Sequence, residues 1–392
     1  MTDTATRRRR IAVVTVARSD YGIYRPVLRR LAADSAFDLQ IVAASAHLSD
    51  AFGRTADLIE RDGFSIAARV DMLLPSDTPE AIAESSGRGT MGFAHAFAEL
   101  QPDLLLVLGD RFDMHAAVVA AAPFGLPVAH IHGGEATEGA IDNLFRHSIT
   151  KMSHLHFVAN EPFARRVVQM GEEPWRVTVS GAPALDDLDA IDYLDRPALE
   201  SRFGITLEPP VALVTVHAET LRPVDSGAAV DELLAAVKTF EGTVVFTSAG
   251  ADTNARAIGG RIEAFLPTRP RTWLLGTLGT EGYFSMMKLA SVMIGNSSSG
   301  IIEAPSFELP VVNIGDRQAG RLRAANVVDV DGDRTSIVGG IRRALDPAFR
   351  ATLRGLCNPY GDGHAAERIA DRLASVPLDR TLLTKRFHDL PA

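Results

Sequence analysis

The sequence predicts an α/β protein made of two doubly wound parallel-sheet domains, and three observations carry that prediction. The chain has 392 residues, about two to three times the length of a typical single domain. Strand-sized runs rich in Val, Ile and Leu alternate with longer Ala-rich amphipathic stretches, as in chains built from βαβ units whose sheets are covered on both faces. The alternation runs twice, on either side of a strand-poor acidic stretch.

In the first series the expected strands are Ile11–Ala17, Leu39–Ser45, Leu104–Leu108, Val128–His132, Leu155–Ala159 and Val177–Ser180. Helical spacing of apolar residues marks Tyr24–Asp34, Ala51–Asp62, Ala81–Leu100 and Ile141–Met152 between them. Leu185 to Glu208, ending in Pro209-Pro210, reads as the linker. The second series holds Val211–Val216, Thr243–Thr247, Thr272–Leu275, Val292–Gly295, Val311–Ile314 and Val327–Val330. Ala365–Val376 reads as a final helix crossing back to the first domain. The expected division is residues 1–184, a linker over 185–210, a second domain over 211–364 and a returning helix within 365–392.

Composition removes several function classes. At 46% hydrophobic and 23% charged residues the chain is neither disordered nor fibrous. A net charge of −9, with Arg7–Arg10 as the one basic run, gives no surface for nucleic acid. Cys357 is the only cysteine, so neither an internal disulfide nor a cysteine metal cluster can form. No apolar run reaches the roughly 18 residues of a membrane span, and Ile11–Ala17 is too short for a signal core. The expected location is cytoplasmic.

Ligands of open parallel sheets bind beyond the carboxyl ends of the strands, so the residues that follow each strand are the useful ones. They are Arg18-Ser-Asp-Tyr-Gly22, His47-Leu-Ser49, Gly109-Asp110-Arg111-Phe-Asp113, His130-Ile-His-Gly-Gly-Glu135, His217-Ala-Glu-Thr220 and Asn296-Ser297-Ser298-Ser299-Gly300. Six strand ends carrying His, Arg, Asp, Glu and Ser point to a cleft site. The serine-rich segment opens a helix running toward Glu303 and suits a phosphate, although it lacks the Gly-Lys-Ser/Thr of a Walker loop. Asp142 and Arg146 sit four apart on the helix after Glu135, near enough to join the site. Gly87-Arg-Gly-Thr-Met-Gly92 matches the dinucleotide fingerprint but follows a helix-like stretch, so no nicotinamide cofactor is expected. His132, Glu135 and Asp110 lack the helical pairing of metal ligands, and no metal is expected.

Together with Phe145-Arg-His-Ser-Ile-Thr-Lys-Met-Ser153, Gly315-Asp-Arg317-Gln and Asn358-Pro-Tyr-Gly-Asp-Gly363, these segments resemble the hydrolysing UDP-N-acetylglucosamine 2-epimerases over nearly the whole chain. The resemblance implies the glycosyltransferase-B fold, two Rossmann-like domains facing across a cleft. It also implies a reaction in which the C2 proton is removed and UDP expelled to leave a 2-acetamidoglucal, to which water adds to give N-acetylmannosamine. Carried over by position, Asp110, Glu135, Asp142 and His217 are catalytic. Arg18, Ser297, Ser298 and Arg317, with His217, hold the diphosphate, and Glu303 holds the ribose. His47, Arg111 and Arg146 orient sugar and carboxylates. UDP-N-acetylglucosamine and UDP are the expected partners, in a homodimer or homotetramer. The chain lacks the Gly-Thr-Arg-Pro-Glu opening and the Thr-Gly-Gln-His segment of the non-hydrolysing branch, which returns UDP to the opposite epimer. Ala218 stands where relatives have Pro, and Gly250 where they have Asn, which bears on the nucleotide and the sugar. Alternatives are a non-hydrolysing epimerase, a 2-epimerase of a GDP-linked diacetamido sugar, a glycosyltransferase and a nucleotide-sugar-binding protein.

Overall fold

The computed structural model describes residues 7–76, 78–137, 141–217, 226–247, 255–276 and 278–390. The chain forms two compact units, Met1–Glu135 with Asp142–Asp187 and Tyr360–Ala392, and Ala136–Ile141 with Leu188–Pro359. Each is a doubly wound α/β unit. No described helix is long and apolar enough to cross a membrane.

The first unit holds a seven-stranded sheet of β1 (Arg9–Thr15), β2 (Phe37–Ala44), β3 (Ile66–Val70), β4 (Leu104–Leu108), β5 (Val128–Ile131), β6 (Leu155–Val158) and β7 (Val177–Val179). Its order is β3-β2-β1-β4-β5-β6-β7 and every pairing is parallel. Its helices are α1 (Arg18–Ala33), α2 (Ala56–Arg61), α3 (Pro79–Leu100), α4 (Phe112–Ala121), α5 (Asp142–Met152) and α6 (Glu161–Gln169). Side chains alternate across a strand, so Ile11 and Val13 enter one apolar layer while Ala12 and Val14 enter the other. A sheet buried on both faces therefore needs the unbroken apolar runs seen in the sequence.

The second unit has α7 (Arg196–Phe203), β8 (Val211–Thr215), α8 (Ser226–Val237), β9 (Thr243–Thr247), α9 (Ala255–Phe265), β10 (Thr272–Leu275), α10 (Gly279–Leu289) and β11 (Val292–Gly295). It continues through α11 (Ser299–Ile302), β12 (Val311–Ile314), β13 (Val327–Val330), α12 (Arg334–Leu345) and α13 (Pro347–Ala351). The sheet order is β10-β9-β8-β11-β12-β13, again all parallel. In each unit the strand order reverses once, between β1 and β4 and between β8 and β11. Such a reversal splays the flanking loops apart and opens a ligand-sized crevice.

The remaining helices, α14 (Ala365–Ser375) and α15 (Arg380–Leu383), belong to the first unit. Asp186 accepts from the backbone N–H groups of Ala365 and Ala366 at 2.9 and 2.5 Å and so starts α14. Ile369, Ala370 and Leu373 then join the layer containing Leu28 and Leu31 of α1. The buried Arg176 guanidinium donates to the carbonyls of Thr381, Leu382 and Thr384 at 3.2, 2.8 and 3.1 Å, which fixes the segment after α14.

Several elements differ from the sequence expectation, each for a local reason. β3 was not expected: as an edge strand it alternates half-buried and exposed residues and has no continuous apolar run. The expected helix over 51–62 shrinks to α2 because Gly53 and Arg54 take positive φ angles of 78° and 45°. α1 begins six residues earlier than Tyr24, at Arg18. The stretch 185–208 carries α7, capped by the Asp195 carboxylate on Ala198 N–H at 2.9 Å. Gly87–Gly92 lies inside the 22-residue α3, where Gly89 and Gly92 admit Met72 and Val70 closely.

Truncating the fully buried Ile369 to alanine should cost the first unit about 2–5 kcal/mol. Urea denaturation followed by circular dichroism measures it, and a loss below about 1 kcal/mol would show that α14 does not share that core.

Candidate functional site

In the first unit the polar residues gather beyond β1, β4 and β5. Asp20 lies in the first turn of α1, where its carboxylate accepts from Val16 N–H at 2.8 Å and Ala17 N–H at 2.7 Å. Thr15 links Asp20 and His47: its hydroxyl is 2.9 Å from Asp20 Oδ2 and 2.9 Å from His47 Nε2. Thr55 Oγ1 is 2.8 Å from the other ring nitrogen. His47 is thus buried with both nitrogens occupied by threonines, so it braces the loop after β1. Burial pushes Asp20 up to about 6, against its backbone hydrogen bonds. Burial also takes His47 down to about 4. Arg18 is exposed in the same helical turn.

Gly109, at a φ of 80°, turns the chain out of β4 so that Asp110 and Arg111 follow at the strand end. Asp113 is completely buried and grips Arg111 in a fork, Nε to Oδ1 at 3.1 Å and Nη2 to Oδ2 at 3.1 Å. Ser45 donates to the same carboxylate at 2.7 Å. The Asp113 charge raises the Arg111 pKa, so this half-exposed guanidinium stays cationic.

After β5 the backbone makes a strained turn. His132 has a φ of 65° and Gly134 a φ of 75°. A Cβ at Gly134 would lie 2.5 Å from the Phe163 carbonyl oxygen, so only glycine fits there. The turn places Glu135 Oε1 at 2.6 Å from His132 Nδ1. Arg146, buried on α5, ties the group together: it donates to the His132 carbonyl at 2.9 Å, bonds Asp110 Oδ2, and has Nη1 3.9 Å from Glu135 Oε2. Asp142 opens the same helix, its pKa raised by burial and then by Asp110. Five of the expected residues, Asp110, Arg111, Glu135, Asp142 and Arg146, therefore come together. Among the described residues no His, Cys, Asp and Glu side chains form a metal-sized cluster.

The second unit uses backbone and hydroxyl groups. Gly295 has a φ of 134°, and a Cβ there would lie 1.9 Å from the Thr215 carbonyl oxygen, so β8 and β11 end in close approach. His217 and Asn296 lock these ends: His217 N–H donates to Asn296 Oδ1 at 2.8 Å, and Asn296 Nδ2 donates to the His217 carbonyl at 2.9 Å. Arg317 and Gln318 donate to the Asn296 carbonyl at 3.0 and 2.8 Å. Ser297 Oγ accepts from Ser299 N–H at 3.3 Å, and Ser298 stands just before α11. The helix toward Glu303 is shorter than expected, four residues followed by a 3-10 turn over Ala304–Phe307. Glu303 sits between them, half-buried. His217, Ser297, Ser298, Glu303 and Arg317 thus share one strand-end region. Ala218 and Gly250 lie outside the described residues.

Both units now have a strand-end site at the reversal of strand order, and the chain can be set beside known proteins. Residues 29–374 match the family model for UDP-N-acetylglucosamine 2-epimerase. This chain belongs to the UDP-N-acetylglucosamine 2-epimerase family. Its reaction class is 2-epimerisation of a nucleotide sugar. It is 37% identical to the GDP/UDP-N,N'-diacetylbacillosamine 2-epimerase (hydrolyzing) of Campylobacter jejuni, covering 82% of this chain and 84% of that one. It is 35% identical to the UDP-N,N'-diacetylbacillosamine 2-epimerase (hydrolyzing) of Legionella pneumophila, covering 96% and 98%. In fold it is similar to the Methanocaldococcus jannaschii UDP-GlcNAc 2-epimerase solved with UDP-GlcNAc and UDP, at a TM-score of 0.76 and 16% identity over 93% of this chain and 99% of that one. The two parallel-sheet units are those of the glycosyltransferase-B architecture.

Sequence reasoning about this epimerase did not single out Asp20, Asp113 or Thr15, which hold the loops carrying the site. The available signal was an acid within three residues of an arginine after each of β1 and β4, in Arg18-Ser-Asp20 and Arg111-Phe-Asp113. Such an acid is a candidate to cap a helix start or to orient the arginine.

Burial keeps His47, His130 and His154 neutral in the fold, taking them to about 4, 3 and 4, whereas the unfolded chain protonates histidine near 6.5. Between pH 6.5 and 4 the unfolded state therefore binds protons that the folded state does not, and stability falls as the pH is lowered. Asp20 opposes this, because its raised carboxyl pKa favours the folded state as pH drops from about 6 toward 3.8. Urea midpoints at pH 7 and 4.5 should show a net loss at the lower pH, and His130→Asn should make that loss smaller. An identical pH slope in the variant would contradict the assignment.

Proposed function

We propose that this epimerase is hydrolysing, and that it releases the nucleoside diphosphate and a free C2-inverted acetamido sugar from a UDP- or GDP-linked N,N'-diacetylbacillosamine. The reading rests on one geometric observation. Asp110, Glu135 and Asp142 lie with the Arg111 and Arg146 guanidinium groups at the strand ends of one unit. Taking a weakly acidic proton from C2 needs a poised base. Returning a proton needs an acid, for which Asp142, with its raised pKa, is suited. The leaving diphosphate needs donors where charge develops. We assign that part to His217, Ser297, Ser298 and Arg317, with Arg18, and the ribose to Glu303. No step in this scheme calls for a metal or an organic cofactor.

The diacetamido sugar is preferred because the two relatives above, at 35% and 37% identity, carry that substrate in their names. UDP-N-acetylglucosamine, yielding N-acetylmannosamine, is the second reading, favoured by the description of the matched family model. The two sugars share the 2-acetamido group at the reacting carbon and differ at C4 and C6, so the same acid–base set serves either.

Incubation with each nucleotide sugar in heavy water, followed by NMR, tests the reading. The expected result is free sugar carrying deuterium at C2, formed faster from the diacetamido substrate. A nucleotide-linked epimer as the sole product would overturn the hydrolysing assignment. Asp110→Asn should lower kcat by about 10²–10⁴-fold while UDP affinity in calorimetry stays within about twofold. Undiminished turnover would remove Asp110 from the acid–base set.

A further inference from the structure

We propose that His132, through Nε2, is the base that takes the C2 proton, with Glu135 as the residue that positions it; this assignment rests on the epimerase reading above. Exposure decides between the two. The Glu135 side chain is 2% exposed and Arg146 Nη1 lies 3.9 Å from its Oε2, so the carboxylate is almost wholly buried and engaged by its neighbours. The His132 side chain is 8% exposed. Its Nδ1 is engaged by Glu135 Oε1 at 2.6 Å. Among the described residues nothing bonds Nε2, and that atom is not sealed from solvent. A carboxylate on Nδ1–H fixes the tautomer whose lone pair is on Nε2 and stabilises the imidazolium formed when that nitrogen takes a proton, as in carboxylate–histidine pairs generally.

The backbone supports the same role. His132 holds a left-handed φ of 65°, a costly conformation for a residue with a Cβ. Its N–H donates to the Phe157 carbonyl at 3.0 Å and its carbonyl accepts from Arg146 at 2.9 Å. Both backbone groups are pinned, so the ring is held on a fixed, strained frame. The charged and titratable groups around this turn are Glu135 on the turn itself, His130 on β5, Arg146 on α5 with its partner Asp110 after β4, and Arg166 on α6, which donates to the Gly134 carbonyl at 2.5 Å.

In the step, the C2–H bond breaks and an Nε2–H bond forms. The C2 electron pair becomes the second C1–C2 bond, and the C1–O bond breaks with its electrons leaving on the nucleoside diphosphate. The imidazolium then passes its proton to water, and no oxidant, reductant or metal is required.

The test compares wild type, His132→Gln and His132→Gly in heavy water, with UDP affinity measured by calorimetry as the control for an intact fold. Glycine tolerates the positive φ and leaves a space the size of the lost ring. Both variants should keep UDP affinity within about twofold and lose C2 exchange by about 10²–10⁴-fold, and added imidazole should restore exchange in His132→Gly in proportion to its concentration. Exchange within about threefold of wild type in either variant overturns the assignment. So does a loss that imidazole does not restore, which would give His132 a purely structural part. If wild type exchanges C2 in neither nucleotide sugar, the epimerase reading falls and this assignment with it, a result distinct from the other two.

Discussion

The site in the first unit depends on one buried guanidinium. Arg146 is 3% exposed; it bonds the Asp110 carboxylate and the His132 carbonyl and pairs in charge with the Glu135 carboxylate at 3.9 Å. A buried charge is tolerable only when it is paired with opposite charge. Two acids set this close would repel each other without the cation between them. The arginine therefore links the end of β4 to the turn after β5, and it does so from α5, the helix that also presents Asp142. Because the guanidinium is planar and forked, it sets directions as well as charge.

Under the proposed function the two units have different parts, and the groups they offer differ accordingly. A group that must gain and lose protons needs neighbours that tune it, and the first unit supplies them through burial: Asp20 and Asp142 are raised, while His47 and His130 stay neutral. A diphosphate carries its own charge and asks for donors. The second unit offers chain ends held in close approach at Gly295 and the reciprocal His217–Asn296 pair. Arg317 and Gln318 on the Asn296 carbonyl keep that loop in place.

Much of this was legible in the sequence because parallel strands buried on both faces must be apolar throughout, so their ends show as the first polar residues after each run. Asp110, Glu135 and His217 show in this way as strand-end residues from the sequence alone. β3 escaped because an exposed edge strand is freed from that rule. The truncation of the helix over 51–62 turned on φ at Gly53 and Arg54, which composition does not encode. His47 looked like a residue for the sugar, yet it is enclosed by Thr15 and Thr55, since a strand-end polar residue can serve the loop as well as the ligand. His132 and Glu135 lie three residues apart, and the turn with positive φ at His132 and Gly134 leaves the histidine side chain 8% exposed and the glutamate 2%. Asp113 showed in the sequence only as an acid two residues after Arg111; its complete burial comes with the packing of α4.

The most direct measurement is steady-state kinetics of Arg146→Lys on the preferred nucleotide sugar, with UDP affinity measured beside it. Lysine keeps the positive charge, but a single ammonium cannot bond two carboxylates and a carbonyl in the directions of a guanidinium. If Arg146 organises the acid–base set, kcat falls by about 100-fold or more while UDP affinity stays within about twofold. A kcat within about threefold of wild type would show that charge alone suffices and that the shared guanidinium is not what holds the site together.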